Sequence, residues 1–132
     1  MVWILVVLAL FTTAEGGPSL YPRHEATVVS VYDGDTMTVD VVLWPGLTWR
    51  GKVRVRGVDT PEIQTKSQSE KRRALLARDF VRERIGKTVY LENVKQGNFG
   101  GRVVATVRLQ DGSNLAKVLI REGHGKAYKR RR

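Results

Sequence analysis

Alternating apolar positions and runs of β-branched residues mark five candidate strands along the chain. They lie at residues 26–32, 36–43, 52–56, 88–94 and 102–109. Asp33-Gly34 separates the first two, and this dipeptide favours a tight hairpin turn. A break at residues 44–48 precedes the third strand, and its two tryptophan neighbours, Trp44 and Trp49, are expected to cover one end of a barrel. The first three strands, joined by short connections, predict a meander.

Two segments show helical spacing instead. Ser67-Gln-Ser-Glu70 has the pattern of a capping box, and apolar residues follow at helical intervals up to Gly86. A shorter helix is predicted over 113–122, and its core-facing residues are Leu115, Val118 and Leu119. The order β-β-β-α-β-β-α predicts an α+β domain that is mainly β. It is expected to be a five-stranded OB-fold barrel with one helix between strands 3 and 4 and one C-terminal helix.

The first residues follow a different pattern. Val2–Phe11 is an unbroken apolar run, too short to span a bilayer but typical of the apolar region of a signal peptide. No Lys or Arg precedes it, so a buried first strand or a start codon set too early is the alternative. We expect residues 1–16 to be a signal peptide that exports the protein to the periplasm or the medium. The expected remainder is a linker at 17–24, a folded domain at 25–128 and a basic tail at 129–132.

Composition narrows the classes of function. The 132 residues favour one domain, and the absence of cysteine excludes disulfides, thiolate metal sites and cysteine nucleophiles. Lys and Arg number 23 against 13 acidic residues, which gives a net charge of +10. Such a surface attracts polyanions, of which nucleic acid is the most common. General solubility and adhesion to an anionic membrane surface are the alternatives that charge alone leaves open.

Two segments carry groups with catalytic potential: Asp33-Gly-Asp35-Thr36, and Arg54 followed by Asp59-Thr60-Pro61-Glu62. Each has a structural explanation, the first as a hairpin turn and the second as the start of a helix. Together they bring oxygen ligands for a divalent cation close to guanidinium donors for a phosphate. The pair of segments therefore indicates phosphate chemistry more strongly than either does alone.

The order of these motifs resembles the staphylococcal nuclease (thermonuclease) family. The likeness rests on Asp-Gly-Asp-Thr, on Arg-x-x-x-x-Asp-Thr-Pro-Glu and on the later Gly101-Arg102-x-x-Ala105, and it extends over about residues 25–128. The family fold is an OB barrel with helices, in agreement with the predicted order of elements. One departure is the loop Phe99-Gly-Gly-Arg102, which has one glycine more than the family's Tyr-Gly-Arg.

The resemblance implies a set of site residues. Calcium (Ca²⁺) would be held by the carboxylates of Asp35 and Asp59 and the backbone carbonyl of Thr60, an all-oxygen set that suits a hard cation. Glu62 would position or deprotonate the attacking water. Arg54 and Arg102 would bind the phosphate. Phe99 and Tyr128 would bind the nucleotide.

These assignments predict a calcium-dependent phosphodiesterase that hydrolyses DNA, RNA or both, and the family resemblance implies that its products would carry a 3′-phosphate. The alternative is a non-catalytic OB-fold module that only binds nucleic acid, and a cationic protein of the membrane surface is a third possibility. All three acidic members of the set, Asp35, Asp59 and Glu62, are present, which favours catalysis. We expect a monomer without a stable protein partner, which would meet a membrane only through an uncleaved leader.

Overall fold

The computed structural model describes residues 22–98 and 100–128. The predicted signal peptide, most of the predicted linker, the basic tail and the expected nucleotide-binding residue Phe99 lie outside the described residues. None of the described helices is both long enough and apolar enough to cross a membrane.

Strands dominate the described chain. The elements, in order, are β1 (His24–Val31), β2 (Thr36–Trp44), β3 (Leu47–Val55), β4 (Val58–Asp59), α1 (Gln68–Arg84), β5 (Thr88–Gln96), β6 (Arg102–Arg108), α2 (Leu115–Arg121) and β7 (Lys126–Ala127). Five of the strands close a barrel in the order β1-β2-β3-β6-β5. All neighbours are antiparallel except β3 and β6, which run parallel. This confirms the predicted mainly-β OB-type barrel with a helix between its third and fourth strands and another near the end.

Inward-facing residues on alternate strand positions form the core. On β3 the predicted pair Val53 and Val55 is buried, while Arg54 between them points out of the barrel. The three predicted core residues of α2 are also buried, and so are Ala74, Ala77 and Val81 of α1. The period-two pattern of the sequence therefore settles which side chains of β3 lie on the outer face, where charge can act.

The β2–β3 hairpin is longer than the sequence predicted. The break expected at 44–48 is reduced to a tight turn at Pro45 and Gly46, where Gly46 adopts a φ of +83° that other residues avoid. Among the described strands, residues 41–44 pair only with residues 47–49, so this part is a two-stranded ribbon extending beyond the barrel. The ribbon exposes Trp44 at 72%, and the expectation that it covers the barrel end is therefore wrong.

Trp49, in contrast, is partly buried and packs against the core. Its ring crosses Gly51 so closely that a Cβ there would lie 2.0 Å from the ring atom Cζ2. A side chain at residue 51 would displace the ring, which explains a glycine inside a strand. The two tryptophans at this hairpin therefore differ because only Trp49 lies on the inward face.

Two very short strands were not predicted. Residues Val58 and Asp59 of β4 pair with Ala127 and Lys126 of β7. The backbone N–H of Tyr128 continues this contact by donating to the carbonyl of Gly57 at 3.1 Å. The end of the described chain therefore fixes the backbone of the segment that bears Asp59.

Candidate active site

The turn between β1 and β2 is shaped by Asp33 and by the absence of a side chain at Gly34. Oδ1 of Asp33 accepts the backbone N–H of Asp35 at 3.0 Å, which closes the turn. A Cβ at Gly34 would lie 2.7 Å from Cγ2 of Thr60 and 3.0 Å from Cβ of Ala77. Only glycine therefore lets this turn press against the loop that carries Thr60.

Asp35 joins three segments from a buried position, with 4% of its surface exposed. Its Oδ2 accepts the backbone N–H of Thr60 at 3.0 Å, and its Oδ1 accepts the Thr36 hydroxyl at 3.2 Å. Its backbone carbonyl accepts the N–H of Val55 at 2.8 Å. Because these donors hold the buried carboxylate of Asp35, its two oxygens have a fixed orientation.

Arg54 lies between the two predicted carboxylate ligands. Its Nη1 forms an ion pair with Oδ2 of Asp35, although Nη1 lacks a hydrogen-bond acceptor in good alignment. Its Nη2 donates to Oδ1 of Asp59 at 3.3 Å. The Asp59 side chain is 58% exposed, whereas that of Asp35 is 6% exposed. One guanidinium therefore serves two carboxylates, and the cluster keeps an excess of negative charge.

Asp33 is a member of this acidic cluster that sequence reasoning treated only as a turn residue. Burial, followed by the charge and hydrogen bonding of Asp35 and a smaller repulsion from Glu62, raises the pKa of Asp33 to about 6. The spacing Asp-x-Asp was the available signal, since two carboxylates so close in a turn repel each other unless one is protonated or a cation is near. The effect of Glu62 also indicates that its charge is felt at the cluster.

Glu62 lies in the loop after Asp59 and Thr60, and it is exposed. Its backbone N–H donates to Oε1 of Glu70 at 3.4 Å, and the hydroxyl of Thr65 donates to Oε2 of the same carboxylate at 3.0 Å. The predicted capping box is therefore half confirmed. Oγ of Ser67 accepts the N–H of Glu70 at 3.3 Å, but the Glu70 carboxylate holds the Glu62 loop and does not return to Ser67.

Arg102 stands on the same outer face as Arg54 but apart from the ion-pair cluster. It begins β6 opposite Lys52, and Val104, two residues on, is opposite Arg54. From strand spacing and rise, the Cα atoms of the two arginines are about 8 Å apart. The extra glycine of the preceding loop, Gly101, adopts a φ of +70°. The lengthened loop is thus accommodated by a left-handed turn immediately before Arg102.

The last predicted site residue, Tyr128, is 58% exposed and follows β7 beside the strand that bears Asp59. The structure therefore brings Asp35, Arg54, Asp59 and Thr60 into direct contact. The hydrogen bonds and ion pairs of the described residues include none from the side chains of Glu62, Arg102 or Tyr128 to these four residues. Within residues 22–98 and 100–128, no three His, Cys, Asp or Glu side chains converge as a metal cluster.

The described barrel carries on its outer face an arginine, Arg54, that forms ion pairs with two carboxylates. The family model of staphylococcal nuclease homologues matches residues 52–132, and the chain belongs to this family. The match includes Arg54, Asp59, Thr60, Glu62 and Arg102. No curated protein sequence matches the chain significantly. The chain is therefore a nuclease-family protein with an OB-type barrel.

Proposed function

We propose that this protein is a calcium-dependent phosphodiesterase that hydrolyses DNA, RNA or both. The observation that carries the proposal is the contact of Arg54 with both Asp35 and Asp59, next to the loop that bears Glu62. A phosphate binds well to a guanidinium fork, and a cation binds well to a pair of carboxylates. Membership of the staphylococcal nuclease homologues supports phosphodiester cleavage as the reaction.

The residues present fit calcium by their chemistry. The candidate donors on Asp35, Asp59 and Thr60 are all oxygens, and the two carboxylates share only one positive charge, that of Arg54. The Asp59 carboxylate is 58% exposed, so a cation can reach it from solvent. When bound, calcium would stabilise the negative charge that develops on the phosphate oxygens. Its remaining ligands would be water and substrate.

Each remaining residue acts on the phosphate or the water. Arg54 holds the phosphate with the guanidinium edge that it does not use on the carboxylates, and Arg102 approaches the same phosphate from β6. Glu62 takes a proton from the attacking water, a role open to an exposed carboxylate that solvent reaches directly. Tyr128 stacks on a nucleotide base beside β4, and Phe99 is proposed for the same task.

One experiment tests this function against the alternative of a non-catalytic binding module. The purified full chain is incubated with plasmid DNA and with RNA, either in calcium or in excess chelator. We expect cleavage in calcium with 3′-phosphate products and none in chelator. Binding without cleavage in calcium would establish the binding module, and undiminished cleavage in chelator would refute the role of the cation.

The structure offers a matched control for the metal site. Asp59→Asn removes a proposed ligand, whereas Asp79→Asn changes an aspartate on α1 of similar exposure, 55% against 58%. Only Asp59→Asn should raise the calcium concentration needed for half-maximal activity. Equal responses of the two variants would indicate that Asp59 acts through general surface charge.

A further inference from the structure

Three cations follow one another along the outer face of β3. Arg50, Lys52 and Arg54 occupy alternate positions, between the inward-facing residues of the strand. Alternate residues of a strand are about 7 Å apart, a repeat comparable with the separation of neighbouring phosphates in an extended nucleic acid strand. The row leads from the ion-pair cluster of Arg54 toward the protruding β2–β3 ribbon.

The three cations differ in how far they are already neutralised. Arg54 meets two carboxylates, and Arg50 makes a bidentate pair with Asp40 at 2.7 and 2.8 Å. This pair lowers the pKa of Asp40, chiefly through the hydrogen bond from Arg50, so Asp40 stays charged. The ion pairs of the described residues include neither Lys52 nor Arg102. Among the described residues, Lys52 is therefore the cation of the row that has no ion pair.

Lys52 and Arg102 are paired side by side on β3 and β6, and both line a groove of about 470 Å³. The groove is lined by Thr38, Arg50, Gly51, Lys52, Gly100, Gly101 and Arg102. A Cβ at Gly100 or Gly101 would meet no atom within 4 Å, so this side of the groove is open backbone. The backbone N–H of Lys52 is bound to the carbonyl of Gly101 at 3.0 Å, which fixes the strand against the loop.

The chemistry of this lining differs from that of the cleavage site. It contains no carboxylate, so it offers nothing for a cation and no base for a reaction. A lysine ammonium is a flexible point charge that attracts a phosphate without fixing its orientation, whereas arginine forms a planar clamp. Such a group suits a phosphate that must be held but not cut. Thr38 adds a hydroxyl that can donate to a phosphate oxygen.

We propose that Lys52, in this groove beside Arg102, binds the phosphodiester that neighbours the one cleaved between Arg54 and Arg102, on a strand of nucleic acid that runs along the outer face of β3. The proposal of this subsite depends on the proposed nuclease function. It makes the preferred substrate an extended polynucleotide strand and not a single nucleotide. Asp40 lies at the edge of the subsite and weakens it by occupying Arg50.

Two variants with effects of opposite sign test the subsite. Binding of a fluorescent single-stranded thymidine oligonucleotide is measured in chelator, so that no cleavage intervenes. Lys52→Ala should weaken binding about three- to tenfold and reduce the slope of log affinity against log salt by about 0.7, the value for one lost phosphate contact. Asp40→Asn should tighten binding, because it removes a repelling charge and releases Arg50.

The controls separate this proposal from general charge effects. Lys117→Ala removes an exposed lysine of α2 that does not line the groove, and it should leave binding nearly unchanged. A mononucleotide with a single phosphate should bind wild-type protein and Lys52→Ala almost equally, since it fills only the site at Arg54.

The proposal is overturned if Lys52→Ala binds the oligonucleotide like wild type, if Lys117→Ala weakens binding as much, or if the wild-type protein does not bind the strand. A protein that binds the strand in this pattern but does not cut it in calcium would refute the proposed function and leave the subsite intact. The two proposals therefore fail in distinguishable ways.

Discussion

Replacing Gly34 with alanine should damage the candidate site by steric pressure alone. The new Cβ would lie 2.7 Å from Cγ2 of Thr60 and 3.0 Å from Cβ of Ala77. Carbon atoms prefer separations of about 3.5–4.0 Å, so Thr60 must retreat by about 1 Å. Gly34 has no positive φ, so alanine meets no backbone strain there. The effect of Gly34→Ala therefore measures the closeness of the turn to the Thr60 loop.

The size of the effect follows from the contacts. Overpacking of this kind costs about 1–3 kcal/mol, which for a domain of this size lowers Tm by roughly 5–20 °C. The same displacement stretches the 3.0 Å hydrogen bond from the Thr60 N–H to Asp35 and moves a proposed calcium ligand. A misplacement of about 1 Å at a catalytic site lowers turnover roughly a hundredfold.

The assay is thermal unfolding in chelator, followed by cleavage of DNA at saturating calcium. Gly100→Ala is the control, because its Cβ would meet nothing within 4 Å and Gly100 has no positive φ. Its stability should stay within about 0.5 kcal/mol of wild type. An unchanged Tm for Gly34→Ala would refute the close packing of the turn against Thr60.

Four further substitutions, at Arg54, Asp33 and Glu70, test the acidic cluster and the loop beside it. Arg54→Ala leaves the buried charge of Asp35 without its partner, so it should lower stability by about 3–5 kcal/mol and weaken phosphate binding. Arg54→Lys should recover stability more than turnover, as unfolding and oligonucleotide titrations will show. The pKa of Asp33 is about 6 in the folded protein against 3.8 for an ordinary aspartate. Between these pH values the folded state binds a proton that the unfolded state has lost, so wild-type stability falls as pH rises through this window. Asp33→Asn should remove this pH dependence, so that above the window the variant is more stable than the wild type by at most about 3 kcal/mol. Unfolding curves in chelator at a series of pH values test this, and equal slopes of stability against pH for the two proteins would contradict it. Glu70→Ala should lower kcat more than it raises KM, because it frees the Glu62 loop from α1. Steady-state kinetics on oligonucleotides measure both constants. An equal change in kcat and KM would indicate that Glu70 only supports the fold.

Local patterns predicted the barrel well because each strand buries alternate residues. Val53 and Val55 face inward and Arg54 faces outward, as their alternation indicated. The Asp33-Gly34 turn was also predictable from its residue types. Local sequence did not reveal that Gly34 is required by Thr60 and Ala77, which are distant along the chain. That requirement arises from packing between elements.

The unpredicted parts of the site depend on long-range contacts. The pairing of Asp59 with Lys126 involves strands of two residues each, too short to leave a periodic pattern. Glu70 matches a helix-capping motif, but its carboxylate accepts hydrogen bonds from the Glu62 loop instead. This partner depends on where that loop lies in the fold. The position of Lys52 opposite Arg102 follows from the register of the parallel pair β3 and β6, which the order of elements does not encode.

The central claim, that this fold cleaves phosphodiesters with water activated by Glu62, is tested most directly by Glu62→Gln. This variant keeps the size and polarity of the side chain and removes its ability to take a proton. The measurement is the single-turnover rate on DNA in calcium, together with the affinity for the same DNA in chelator. Glu83→Gln, at an exposed position of α1, is the control. We predict a rate lower by roughly two to four orders of magnitude with affinity unchanged or slightly higher, because general-base loss acts on the transition state. A folded Glu62→Gln protein that cleaves at nearly the wild-type rate would contradict the account.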